Sequence, residues 1–357
     1  MSEQADILPG MPDRLVKVPP KSREYEALTL DEAIARSHAL LDEVIERFGP
    51  EKLLLLFSGG SDSSLLAHVV RERMDAAVHI RTTIAVPQTS QYVEAVCAEW
   101  GLPLLWADPP DSYEDLVLGN VKPKTERGKN DTVWRGFPGP GAHSVMYQRL
   151  KEKALDELRR SLVGKRGRTG QVAYVAGTRW SESDRRWRNA NEIDVAGSVV
   201  WVSPIVHWTE GHLREYRDRH MCRLHHDHDE HLLCHPGALP QSEVSRNLHQ
   251  SGDCKCGAYA HEGELEETAL FYPEVAERIR ALERKVAARG IPWCKWGAGK
   301  EAAPRDAASS APGRLCSSCV PAAGQVDLLD QWVADGLLTG HQRDGLRTAT
   351  APTNEAA

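Results

Sequence analysis

Residues Leu53-Leu54-Leu55-Leu56-Phe57 run directly into Ser58-Gly59-Gly60-Ser61-Asp62-Ser63 and then into Ser64-Leu65-Leu66-Ala67, with no linker on either side of the small-residue turn. Five apolar residues without alternation fit a parallel strand buried on both faces, and Leu65, Leu66, Val69 and Val70 recur at helical spacing. Two glycines let the backbone turn tightly between strand and helix. The first amides of such a helix have no intrahelical acceptor, and the helix dipole adds positive potential, so the turn is a candidate phosphate cradle. It is not a Walker loop, because no Gly-Lys-Ser/Thr follows at the required spacing.

The flanking sequence repeats the strand and helix theme. Thr29-Leu30-Asp31-Glu32 reads as a capping box, and Ala33, Ile34, Leu40, Leu41, Val44 and Ile45 continue a helical stripe to Gly49-Pro50. Further strands are expected at 77–84, 102–106, 172–176 and 199–202, with helices at 90–100, 144–162 and 209–220. Such alternation predicts an α/β fold, a parallel Rossmann-like sheet with helices on both faces. Residues 107–143 interrupt it with Pro, Gly, Lys and Asn, either a substrate-covering insertion or a surface excursion. Between 121 and 190 basic residues exceed acidic ones by about ten, against a chain of net charge -7. That local excess suits a nucleotide or polyanion surface, or a solvated face.

Seven of the eight cysteines fall after residue 220, so the chain divides into a nucleotide half and a cysteine half. The expected organisation is an arm at 1–28, an α/β domain at 29–220, a cysteine-rich region at 221–320 and a tail at 321–357. Helices are expected at 262–270 and 273–288, and a short amphipathic one at 326–337. Cys254 and Cys256 form a C-x-C, Cys316 and Cys319 a C-x-x-C. Two such pairs supply four thiolates to one metal, which suits Zn²⁺ or a 4Fe-4S cluster. Cys234 and Cys294 are reserve ligands. The segment from His225 to His231 is a second zinc candidate, or an exposed polar stretch.

No apolar run approaches the roughly 20 residues that cross a bilayer, and residues 1–20 hold no apolar signal segment, so a cytoplasmic protein without membrane partners is expected.

Three stretches together resemble one family. Ser58-Gly59-Gly60-Ser61-Asp62-Ser63 resembles the pyrophosphate loop of the adenine nucleotide alpha-hydrolase superfamily. Gly177-Thr178-Arg179-Trp180-Ser181-Glu182-Ser183 with Arg185-Arg186, and Val202-Ser203-Pro204-Ile205-Val206-His207-Trp208-Thr209, look like the downstream motifs of its phosphoadenosine phosphosulfate (PAPS) reductase and ATP sulfurylase branch. The resemblance covers roughly residues 50–220. It implies an adenine nucleotide, ATP or PAPS with Mg²⁺, held at the carboxyl ends of the strands by Ser58, Gly59, Gly60, Ser61, Asp62, Ser63, Thr83, Gly177, Arg179 and Arg186. Asp62, Arg179 and Arg185 are the implied catalytic residues, Asp62 as a Mg²⁺ ligand or a charge in the helix's first turn, the arginines as donors to phosphate oxygens. Ion pairing with neighbouring carboxylates is the other use for these arginines. His143 is a candidate phosphate or substrate contact, or a packing residue.

Two departures redirect the chemistry. PAPS reductases usually carry Lys in the loop where Ser61 stands, and their C-terminal Glu-Cys-Gly-x-His segment is missing. Ser at this place resembles superfamily members that split ATP into AMP and pyrophosphate. The expected reaction is therefore ATP α-phosphate cleavage with adenylylation of an acceptor, linked to sulfur transfer through the cysteines as in the sulfur-transfer proteins of DNA phosphorothioation. A sulfur donor or reductant protein would then be a partner, and nucleic acid a possible acceptor. The alternatives are a reductase whose nucleophile is an unusually placed cysteine, Cys316 or Cys319, and a nucleotide-sensing or nucleic-acid-binding module without turnover.

Overall fold

The computed structural model describes residues 28–121, 135–164, 168, 170–182, 190–221 and 237–298. Six strands, β1 (Lys52–Leu56), β2 (Ala76–Ile80), β3 (Leu104–Ala107), β4 (Val172–Val175), β5 (Ile193–Ala196) and β6 (Val199–Val202), form one sheet in the order β3-β2-β1-β4-β6-β5. The β3-β2, β2-β1, β1-β4 and β4-β6 pairs are parallel; β5 joins the edge antiparallel to β6 through the Gly197-Ser198 turn. The expected α/β sheet with helices around it is present. The chain leaves β1 toward β2 and β3 and returns to place β4 on the other side, so the β1/β4 crevice is the topological switch point where ligands bind in such sheets.

Burial on both faces explains the uninterrupted Leu run of β1. Leu53 and Leu55 join Ala77, Ala173, Val175, Val200 and Val202 under α1 (Leu30–Phe48), α2 (Ser61–Val70), α3 (Pro87–Glu99) and α7 (Glu210–His220). Leu54 and Leu56 join Val78, Val172 and Tyr174 on the opposite face, against Ala154 and Leu155 of α6 (Lys153–Val163). Helix α1 starts at the expected capping box, with Thr29 N–H donating to Glu32 Oε2 at 2.7 Å and Glu32 N–H to Thr29 Oγ1 at 3.3 Å. It ends at Gly49, whose φ of 50° is left-handed.

Elsewhere the boundaries differ from the sequence expectation. The second strand stops at Ile80 instead of 84, because Thr82, Ile84 and Val86 turn away to bond a distant segment: Val86 N–H donates to Gly252 O and Lys255 N–H to Ile84 O. The helix expected over 144–162 is three pieces, α5 (His143–Tyr147), a π-helical turn at Gln148–Glu152, and α6. Strand β5, α4 (Tyr113–Leu118) and α8 (Glu243–Leu248) were not expected; each is too short for periodicity to reveal. The helices α9 (Glu264–Phe271) and α10 (Pro273–Ala288) lie close to their expected places. Expected features at 1–27, 222–236 and 299–357 lie outside the described residues.

A further core cluster ties the C-terminal half to the sheet's carboxyl end. Val275, Ile279, Leu282 and Val286 of α10 pack with Ile84, Val86, Tyr113, Phe137, Met146, Cys256 and Trp296. No described helix is long and apolar enough to cross a membrane.

Candidate functional site

The turn after β1 is tied to the sheet before it becomes a helix. Phe57 N–H donates to Val78 O at 2.9 Å, and the buried His79 places Nδ1 2.8 Å from Phe57 O. Gly59 then takes φ +80°, and an added Cβ would sit 2.9 Å from Thr89 Cγ2. Gly60 is the N-cap of α2 without a side-chain cap. Ser58 Oγ and Ser63 Oγ lie 3.0 Å apart and Ser63 Oγ donates to Gly60 O at 3.0 Å, which draws the loop into a small ring. Ser61 is exposed and Ser63 buried. The left-handed backbone alone makes alanine costly at residue 59, about 1–2 kcal/mol, and the Thr89 contact adds overpacking. Gly59→Ala is therefore expected to lower stability by about 2 kcal/mol or more in urea unfolding.

The loop after β4 closes the crevice. A Cβ on Gly177 would meet Asp62 O at 3.2 Å and Ser63 Cα at 3.3 Å, so glycine allows the two loops to touch. Arg179, 5% exposed, donates Nε to Asp62 Oδ2 at 2.8 Å and Nη1 to Ser181 Oγ at 2.6 Å, with Glu210 Oε1 also 2.8 Å from Nη1. Arg217 Nη2 lies 3.8 Å from Asp62 Oδ1. Two residues of the expected catalytic set thus meet as an ion pair, and Arg179 pairs with Asp62 and Glu210. Asp62, an acidic residue in the first turn of α2, suits the helix dipole as well.

The third resembling segment supports this arrangement from behind. Trp180 N–H donates to Val206 O at 2.8 Å, Trp208 Nε1–H to Ser37 Oγ at 3.0 Å, and Ser37 Oγ–H to Pro204 O at 2.7 Å. Thr209 caps α7 and so sets the position of Glu210 and Arg217. His207 is buried, which pushes its acidity to about 4. Thr83, the expected ligand after β2, has φ 63°; its Oγ1 accepts from Tyr113 N–H at 2.7 Å and its carbonyl accepts from Arg278. His143 is buried, its ring centroid 4.9 Å from that of Tyr259. Arg185, Arg186, Cys316 and Cys319 lie outside the described residues.

The segment carrying Cys254 and Cys256 lies against the loop. Ser251 Cβ would be 3.0 Å from a Cβ on Gly60, Ser245 Oγ–H donates to Gly59 O at 3.2 Å, and Thr89 Oγ1–H donates to Ser251 O at 2.8 Å. Asp253 sits between Ser251 Oγ at 2.5 Å and Lys151 Nζ at 2.7 Å. Burial opposes ionisation of Asp253, but Lys151 and Ser251 hold its carboxyl below the usual range. A hydrogen bond from Cys256 draws the Cys254 thiol below its ordinary value; burial opposes this and the Lys151 charge assists. Cys254 is partly exposed and Cys256 buried. Two thiols this close furnish half of a four-sulfur metal site; among the described residues no group of three or more Cys, His, Asp or Glu completes one. Cys97 is remote, and burial pushes its thiol up to about 12.

Lys151, Asp253, Glu210 and Arg217 are site residues that motif reading passes over. Lys151 belongs to the π turn, a one-residue register change that periodicity cannot foresee and that often marks functional positions. Asp253 had one signal, its place one residue before the C-x-C.

Comparison with known proteins follows this geometry. No curated protein matches the chain. A crystal structure of a phosphoadenylyl-sulfate (PAPS) reductase from Candida auris, in a phosphate complex, is 16% identical, covers 54% of this chain and 87% of its own, and has a TM-score of 0.34. The sequence profile of the phosphoadenosine phosphosulfate reductase domain matches residues 52–256, from the first residue of β1 to the second cysteine of the C-x-C. On that match, which spans more than half of its length, the chain belongs to the phosphoadenosine phosphosulfate reductase domain family.

Proposed function

We propose that the protein binds ATP in the β1/β4 crevice and cleaves it between the α- and β-phosphorus, transferring AMP to an acceptor oxygen. The observation that carries this reading is the exposed Ser61 of the Ser58–Ser63 loop, which stands at the N-terminus of α2 beside the buried Arg179. Amides and hydroxyls of Ser58, Gly59, Gly60, Ser61 and Ser63 hold the β- and γ-phosphates, as a helix N-terminus favours. Arg179, Arg185 and Arg186 offset charge that develops as the acceptor oxygen bonds to the α-phosphorus and pyrophosphate departs. Gly177 lies against Asp62 and Ser63 at the crevice, and Thr83, in the loop after β2, is a further candidate nucleotide contact. Mg²⁺ would supply charge neutralisation with the nucleotide, and Asp62 would be the residue to hold it.

The thiol-bearing segment beside the loop extends the reading to sulfur transfer. Cys254 and Cys256, with Cys316 and Cys319, would hold a 4Fe-4S cluster or Zn²⁺. A sulfur nucleophile from a donor protein then displaces AMP from the adenylylated acceptor, leaving a carbon–sulfur or phosphorus–sulfur bond. Nucleic acid is one acceptor class that the basic stretch at 121–190 suits. A second reading, favoured by the match to the phosphoadenosine phosphosulfate reductase domain, is reduction of PAPS to sulfite by a cysteine, Cys316 or Cys319.

Anaerobically purified full-length protein is expected to release pyrophosphate from ATP in the presence of acceptor and to form no sulfite from PAPS with a thiol reductant. Sulfite without pyrophosphate would establish the second reading. Nucleotide binding with neither product would make the chain a sensor.

A further inference from the structure

The C-x-C segment inverts the usual preference of its side chains. Lys255, between the two cysteines, is 1% exposed, and its Nζ lies 2.5 Å from Glu264 Oε1, itself 9% exposed. Glu264 also meets His261 Nδ1 at 3.2 Å, and His261 Nε2 lies 3.0 Å from Glu267 Oε2. Lysine is the residue that most favours water, whereas free cysteine behaves as a small hydrophobe. Here the lysine is driven inward, and Cys254 keeps partial exposure.

Main-chain bonds hold the segment in this orientation along with the ion pair. Gly252 O and Lys255 N are three residues apart, yet they bond Val86 N and Ile84 O, two residues apart. The unequal spacing and Gly252 at φ +69° show that this contact is not a regular ladder. Trp296 Nε1–H donates to Lys255 O at 2.8 Å and Tyr113 O–H donates to Cys256 O at 2.7 Å, so these main-chain bonds and the ion pair hold the segment together. Cys254 and Cys256 flank the buried Lys255, their side chains hydrogen-bond to each other, and Cys256 packs in the same core cluster as Trp296, whose ring centroid lies 5.8 Å from Lys255 Nζ.

We infer that the buried Lys255–Glu264 ion pair is the register key of this segment, a positioning device that turns Cys254 and Cys256 to one side as a bidentate thiol pair. Lys255 and Glu264 touch no substrate in this role and act through the cysteines. Ion pairs of this kind add little net stability compared with an apolar pair, and setting a register is their best attested use. The inference rests on the reading that the two thiols act together on one soft metal or sulfur atom.

The test uses phenylarsine oxide, which condenses with two neighbouring thiols and releases one water. The protein is the full chain carrying Cys316→Ser and Cys319→Ser, so the C-x-x-C does not compete. This parent is expected to bind one arsenical tightly, and Cys254→Ser in it to abolish binding. Glu264→Gln frees Lys255 to turn to water and should weaken binding ten-fold or more. Adding Lys255→Met, which favours the interior without an ion pair, should restore affinity to within about three-fold of the parent. If Glu264→Gln does not fold, Lys255→Met and Lys255→Ser with Glu264 intact decide: Met retains binding and Ser loses it, while His261 still partners Glu264 in both. Equal affinities across these variants would overturn the register key while leaving the thiol pair standing. A parent that binds no arsenical, or binds it without Cys254, would overturn the thiol pair and the key with it.

Discussion

Glu264→Gln is expected to lower the unfolding free energy by about 3–5 kcal/mol, the range found when one partner of a buried ion pair is removed. The variant has two ways to respond, and both are costly. If Lys255 stays inside, it keeps a buried charge with no carboxylate. If the segment turns over, it loses the bonds that Ile84 O and Trp296 Nε1 make with Lys255 main-chain atoms. The pH dependence carries a further signature. Burial alone would raise the pKa of Glu264, but the His261 hydrogen bond and the charges of Lys255 and His261 hold it at about 2. A carboxyl depressed in the folded state contributes stability that is fully present above its unfolded value near 4.5 and lost as pH falls toward 2. His261 is raised to about 10 by hydrogen bonds to Glu264 and Glu267, so its contribution is full below about 6.5 and lost as pH rises through 10. Both displacements share the His261–Glu264 contact, which counts once. Urea unfolding across pH 3 to 10 should show the acid limb in the wild type and its loss in the variant. An unchanged midpoint at pH 6 would refute the buried pair.

Asp62→Asn is expected to slow pyrophosphate release at least 100-fold, with nucleotide still bound. Asp62 holds Arg179 Nε and faces Arg217, so the charge that orders these two arginines disappears while the side chain keeps its shape. Arg179 retains Ser181 and Glu210 and is drawn toward them. Misplacing one preorganised donor typically costs about 10²–10³ in turnover. Single-turnover release of pyrophosphate, with nucleotide affinity measured separately, separates the two effects. A normal rate would leave Asp62 as a charge in the first turn of α2 and nothing more.

These two carboxylates stand at opposite ends of what a sequence discloses. Asp62 belongs to a recognisable run, because strand, glycine turn and helix N-terminus are contiguous and the physics of each is local. Its partner Arg179 is legible as part of a motif, but that the two pair is not, since 117 residues separate them. Glu264 is one carboxylate among many on an acidic helix start, and no spacing marks it as the partner of Lys255. The same holds for Lys151, whose approach to Asp253 depends on the π turn at Gln148–Glu152.

By itself the sequence determined the buried parallel strand at β1, the capping box of α1, the glycine turn between β1 and α2, the α/β alternation and the proximity of Cys254 to Cys256. Each depends on neighbours within a few positions, where backbone sterics, apolar periodicity and end effects of helices act. The tertiary structure alone decided that the 82–86 and 251–256 segments bond to each other, that the C-x-C segment lies against the Ser58–Ser63 loop, that Arg179 is paired with Asp62 and Glu210, and that Lys255 points inward. Those outcomes come from long-range main-chain bonding and from the need to give each buried charge a partner, conditions that the whole packed chain satisfies together and that local spacing does not record.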